Sequence, residues 1–157
     1  KHLDAMGLRI VIVGGRGKEE ADYVRQFVQA LPANAVDLTG KLRFSETARL
    51  LASCKVYVGL DTAVTHLAAA TGAPTVALFG PTNPVKWAPW PHGFREDRNP
   101  FDRTGTQHVG NVVLVQGEGD CVPCHEEGCD HHRQSKSRCL EELDGATVIR
   151  AIENALR

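Results

Sequence analysis

No apolar run in this chain approaches the ~20 residues that span a bilayer, and no signal peptide precedes the first apolar stretch, Leu8–Val13. Those two gaps predict a soluble chain. An excess of one charge is missing as well. Eighteen basic residues face 19 acidic ones, for a net charge of -1, which leaves no electrostatic footprint for a nucleic-acid partner. There is no internal repeat and no low-complexity tract. The glycine-rich stretch Gly14-Gly15-Arg16-Gly17 lacks the GxGxxG spacing, so it does not support a dinucleotide site.

What the chain does have is enough apolar sequence for a core. With 157 residues and 42% hydrophobic content it reads as one domain over 1–157 that needs no disulfide staples. Short β-branched runs suit buried parallel strands at Leu8–Val13, Ala35–Leu38, Val56–Gly59, Thr75–Phe79 and Val112–Val115. Helical spacing lies between them. Ala21, Val24, Phe27, Val28 and Leu31 share one face before Pro32, and Ser45 is placed to cap a helix running to about Ser53. Val64–Thr71 stops at Gly72, and Ala146–Leu156 closes the chain with a stripe of Val148, Ile149, Ile152, Ala155 and Leu156. This alternation predicts an α/β fold, a Rossmann-like parallel sheet flanked by helices. Gly80–Gly110 holds five of the eight prolines and both tryptophans without periodicity, and it reads as a long loop.

Ligands of such sheets sit outside the carboxyl ends of the strands, where helix N-termini direct N–H groups outward. Asp61, Thr62, Ala63, Thr65 and His66 fall in the turn after the third strand or in the first helical turn. The amides and the Thr62 and Thr65 hydroxyls suit a phosphate. Asp61 would repel one and suits sugar hydroxyls instead, while His66 can donate to a phosphate oxygen or to the leaving group. The plainer alternative is that Asp61 or Thr62 only caps the helix. Thr82, just past the next strand, lies within reach of the same ligand.

The stretch GxDTxxTHLAAAxGxPTVALFGPTxPxxWxPW, from Gly59 to Trp90, resembles the donor-binding signature of glycosyltransferase family 9, which includes the lipopolysaccharide heptosyltransferases. Asp37–Gly59 and Ile12–Glu20 extend the likeness upstream, and Cys121–Ile152 matches more loosely. The resemblance implies the C-terminal, donor-binding half of a GT-B fold, with the acceptor domain and its general base in a missing N-terminal half. It implies inverting transfer from a nucleotide-diphospho-sugar, ADP-heptose among them, to lipopolysaccharide or another envelope saccharide. The setting would be bacterial and cytoplasmic, at the inner face of the inner membrane, with at most peripheral membrane contact through the acceptor. No cofactor is implied for the chemistry. By the same likeness Glu19 would hold the ribose, the backbone around Leu42 would read the base, and His66 would stabilise the departing phosphate. Ala63 stands where many relatives have Gly, and Asn83 where relatives often have Asp.

Five cysteines is an odd count, and four of them crowd between Cys121 and Cys139, which favours a reduced setting. Cys121, Cys124, Cys129 and Cys139 form an adequate ligand set for a structural zinc or iron. Some members of the resembled family carry such a four-cysteine finger here. Ordinary thiols remain the alternative. Two further readings of the whole chain stand beside the transferase: a nucleotide-sugar epimerase on the same plan, and a non-catalytic Cys-rich binding module.

Overall fold

The computed structural model describes residues 2–126, 128–132 and 135–157. It divides into two compact units, one up to Arg49 and one from Leu50 to Arg157, where the sequence reads as a single domain.

In the first unit a short helix α1 (His2–Ala5) is followed by β1 (Val11–Ile12), α2 (Lys18–Val28), β2 (Val36–Asp37) and the start of α3 (Phe44–Ser53). The expected strands Leu8–Val13 and Ala35–Leu38 shrink to two residues each, and β1 and β2 pair in parallel only with each other. The backbone pairing itself runs further than the two residues: Val36, Leu38 and Gly40 donate their N–H groups to the carbonyls of Ile10, Ile12 and Gly14 at 2.9, 2.9 and 3.1 Å. No residue of α2 is buried, and Phe27 on its expected core stripe is 53% exposed. The cap of α3 also differs from expectation. Ser45 lies inside the first turn, and the Glu46 carboxylate accepts the Arg43 N–H at 2.7 Å. This is the return half of a capping box, in which a third-position carboxylate reaches back to the residue before the helix.

The second unit carries the main sheet, formed by β3 (Tyr57–Leu60), β4 (Thr75–Phe79), β5 (Gln107–Val109) and β6 (Val112–Gln116) in the order β3-β4-β6-β5. The first three strands are parallel, and β5 pairs antiparallel with β6 at the edge. Every residue of β6 is buried, as expected for a strand covered on both faces. One face presents Ala77, Phe79, Val112 and Leu114 to Ala69 of α4 (Ala63–Ala70) and to Phe101. The opposite face is left to α7 (Gly145–Ala155), which packs on β4 and β6 and buries Ala151 and Ile152. Asp144 starts α7 by accepting the Ala146 and Thr147 N–H groups at 3.2 and 3.0 Å. These bonds to the ionised carboxylate hold its pKa below the usual value.

The expected loop Gly80–Gly110 is more ordered than its composition suggests. It contains α5 (Pro84–Trp87) and β5, and it is fixed to the body by Pro84, Pro89, Pro91 and Phe101, all buried. The tryptophans do not anchor it. Trp87 and Trp90 are 47% and 51% exposed, with Trp90 edge-on to Phe94. At the amino end of the sheet one side chain joins three segments: the Asn111 amide donates to the carbonyls of Ala69 and Ala73 at 3.0 and 2.8 Å, and its oxygen accepts the His92 N–H at 2.8 Å.

Candidate donor site

β3 and β4 run in parallel with Leu60 opposite Leu78, so the segments that follow them leave the same edge of the sheet. After β3 comes the turn Asp61-Thr62 and then α4. Thr62 occupies the cap position in an extended conformation, with no side-chain cap hydrogen bond. The plainer reading, in which Asp61 or Thr62 serves only as a cap, therefore lacks its bond. The first-turn amides of α4 carry no side-chain acceptor, and aligned peptide dipoles give that end a partial positive charge.

Asp61 and His66 face each other across this turn. His66 Nε2 lies 3.6 Å from Asp61 Oδ1, and the two side chains are 43% and 23% exposed. A carboxylate and an imidazole held side by side at a helix N-terminus can share a ligand that is anionic at one end and hydroxyl-rich at the other. Thr62 and Ala63 are exposed beside them. Thr65 differs. It is fully buried, and its hydroxyl donates to the Leu60 carbonyl while lying 3.1 Å from the Tyr57 hydroxyl and 3.3 Å from that of Thr62. Its hydroxyl hydrogen is used inside the protein rather than toward a ligand. Tyr57 escaped the sequence reading, and its only signal there is a tyrosine two residues before Gly59 in a strand. Burial pushes its phenol pKa up, against the hydrogen bonds to Thr65 and Thr62.

Past β4, Gln116 fixes the Thr82 segment. Its side-chain amide donates to the carbonyls of Gly80 and Thr82 at 3.3 Å, and its oxygen accepts the Gly105 N–H at 2.9 Å. Asn83 is occupied as the cap of α5, accepting the Val85 N–H at 3.0 Å. The structure thus brings Asp61, Thr62, Ala63, Thr65, His66 and Thr82 to one edge of one sheet.

Glu19 and Leu42 belong to the first unit, where Glu19 is exposed and Leu42 half-buried. There the neighbour Glu20 folds back over the glycine turn. Its two carboxylate oxygens lie 2.7 Å from where side chains on Gly14 and Gly15 would begin. Glu20 is the third residue of α2, the position whose carboxylate commonly reaches back over the helix start, and that offset was legible in the sequence.

The four clustered cysteines line one cavity of about 390 Å³ together with Pro81, Glu118 and Arg138. The Cys129 sulfur accepts the Arg138 N–H at 3.5 Å, and the His125 N–H donates to the Pro81 carbonyl at 2.9 Å. Cys139, at the start of α6 (Arg138–Glu141), is buried; burial raises its thiol pKa, and the neighbouring Cys124, Cys129 and Cys121 thiols add to the shift. Among the described residues, no three His, Cys, Asp or Glu side chains are arranged to hold a metal ion. The donor set has the right chemistry and lacks the convergence. Cys54 lies one residue past α3 and is half-buried, with its thiol also pushed up by burial.

The sequence pattern of the family described as glycosyltransferase family 9 (heptosyltransferase) matches residues 1–108, more than half of the chain. The chain belongs to that family. Among its relatives, lipopolysaccharide heptosyltransferase 3 of Escherichia coli is 34% identical over 89 residues, which is 56% of this chain and 26% of that protein. Lipooligosaccharide heptosyltransferase 2 of Campylobacter jejuni is 25% identical over 152 residues, covering 94% of this chain and 41% of the relative. The fold is shared with the crystal structure of a family 9 glycosyltransferase from Veillonella parvula, at a TM-score of 0.69 and 18% identity over 99% of this chain and 38% of that one. The structure of Escherichia coli ADP-heptose lps heptosyltransferase II gives 0.71, at the same identity and coverage. The family 9 chain described here therefore spans well under half the length of these relatives. No helix among its described residues is long and apolar enough to cross a membrane.

Proposed function

We propose that this chain is the donor-binding part of an inverting GT-B glycosyltransferase, taking a nucleotide-diphospho-sugar of the ADP-heptose type. The sugar would pass to lipopolysaccharide or another envelope saccharide at the cytoplasmic face of a bacterial inner membrane. One observation carries the reading: Asp61 and His66 lie 3.6 Å apart at the uncapped start of α4, outside the carboxyl end of β3. The amides of that turn and His66 would take the diphosphate, and Asp61 would accept hydrogen bonds from the sugar. In the transfer the acceptor oxygen forms a bond to the anomeric carbon as the bond to the diphosphate breaks. Fixed donors at the turn would stabilise the charge left on the nucleoside diphosphate. The base that removes the acceptor proton would belong to the acceptor domain, so no cofactor is required of this chain.

The test is a titration of the isotopically labelled chain with ADP and with an ADP-sugar. Amide shifts at Thr62–His66, together with no sugar transfer above background, are the expected outcome. Shifts confined to Cys121–Cys139 would oppose the donor assignment, and robust transfer by the 157 residues would oppose a separate acceptor domain.

A structural zinc or iron at the four cysteines is a further proposal, supported by their lining one cavity. About one equivalent of metal in reduced protein, by elemental analysis, supports it, because ligand binding there is local folding energy. Four titratable thiols in folded, metal-free protein would remove it and leave the donor site untouched.

A further inference from the structure

Beneath the donor turn lies a hydroxyl relay that the site chemistry does not itself require. Tyr57 and Gly59 lie two apart in β3 and so share a face. The Tyr57 ring runs along the strand over Gly59, and a side chain at Gly59 would fall on the Tyr57 hydroxyl and come within 2.9 Å of the Thr65 hydroxyl. The phenol therefore fills space that only a glycine leaves open. From there its hydroxyl meets Thr65 at 3.1 Å, Thr65 meets Thr62 at 3.3 Å, and Thr65 also donates to the carbonyl of Leu60, the last residue of β3. Thr65 is 0% exposed, so the middle of this chain of bonds is shielded from water, while its Thr62 end is exposed. The Thr62 carbonyl in turn accepts the Thr65 and His66 N–H groups at 3.0 and 3.3 Å. Strand end, cap residue and phenol thus meet at the Thr65 hydroxyl, in the first turn of the helix.

We propose that Tyr57 is a positioning residue of the donor turn: with Gly59 making room for it, its hydroxyl holds Thr65, and through Thr65 and its bond to Thr62 it sets where Asp61 and His66 stand. The functional half of this rests on the donor-site reading above. A buried hydroxyl bonded on two sides fixes its neighbours because the unbonded alternatives leave polar groups without partners. The phenol ring itself contributes packing that a phenylalanine keeps. Loss of the hydroxyl is therefore separable from loss of the core.

The test compares Tyr57→Phe, Gly59→Ala, Thr65→Val and Thr65→Ser in the labelled chain by amide hydrogen exchange, thermal melting and ADP titration. In the first three, exchange at Thr65 and His66 should speed up about tenfold while the amides of Val76 and Leu114 keep their protection. Thr65→Ser keeps the hydroxyl and should restore slow exchange. In Tyr57→Phe the ADP-sugar affinity should fall about three- to tenfold, the size of one lost hydrogen bond, with the thermal midpoint lowered by only a few degrees. Unchanged exchange at Thr65 and His66 in Tyr57→Phe overturns the proposal whatever the ligand does. A loosened turn with unchanged affinity overturns the positioning role. Failure of the unsubstituted chain to bind any nucleotide removes the donor reading instead, and the exchange data then decide the relay alone.

Discussion

Replacing Phe79 by Ala is expected to cost the second unit about 3–5 kcal/mol, read as a fall in the urea midpoint with an unchanged slope. Phe79 is 0% exposed at the end of β4, and its ring lies in the cluster with Ala69, Ala77, Phe101, Val112 and Leu114. Several of those neighbours are small, so they cannot reach into the space a lost ring leaves. A typical domain is stable by only about 5–15 kcal/mol, so this change removes a large part of the margin. Phe79→Leu, which refills much of the volume, should cost far less. The Phe79 carbonyl also accepts the Gly117 N–H at 2.9 Å, which ties together the strand ends that carry the Thr82 segment. A loss below about 1 kcal/mol would mean that the cavity collapses and that the cluster is not the core described here.

Replacing Asp61 by Ala should weaken nucleotide-sugar binding by about 1–3 kcal/mol, roughly five- to 150-fold, and bare nucleotide binding much less. Asp61 is a carboxylate beside amides that attract phosphate, so its own favourable partners are hydroxyls. Its side chain is 23% exposed, and no side-chain capping bond by it or by Thr62 stands to be lost from α4. Calorimetric titration with ADP and with the ADP-sugar separates the two contributions. Equal losses for both ligands would show that Asp61 shapes the turn and does not read the sugar.

Much of this architecture was legible in the sequence where period and punctuation agree. Thr75–Phe79 is a strand of the stated extent, and Val112–Gln116 extends the expected run by one residue. Asp144 marks the start of α7. The edge strand β5 escaped because Gln107-His108-Val109 is short and half polar, although Gly110-Asn111 between it and β6 is a two-residue hairpin signal, with Gly110 at a φ of 55°. The first two strands were overdrawn because an apolar run records a wish to be buried, whereas strand length is set by the partner available. At the site, the sequence brought the residues of the turn together but could not assign work among them. Thr62 and Thr65 look alike as letters, and only the geometry shows Thr65 turned inward to Leu60. The spacing of the four cysteines brought them to one cavity but says nothing of how their thiols are oriented within it.

Asn111 binds its three partners at the amino end of the sheet, while Asp61, His66 and Thr82 stand at the carboxyl end. Damage at the two ends should therefore reach a cell by different routes. A substitution at Asn111 lowers how much folded protein accumulates, because a marginal native state is continually surveyed by proteases, yet each surviving molecule works as before. On the donor-site proposal, a substitution at Asp61 would leave abundance alone and lower what each molecule achieves. Raised expression would compensate the first kind of lesion in proportion to the copies supplied, while saturating donor would compensate the second.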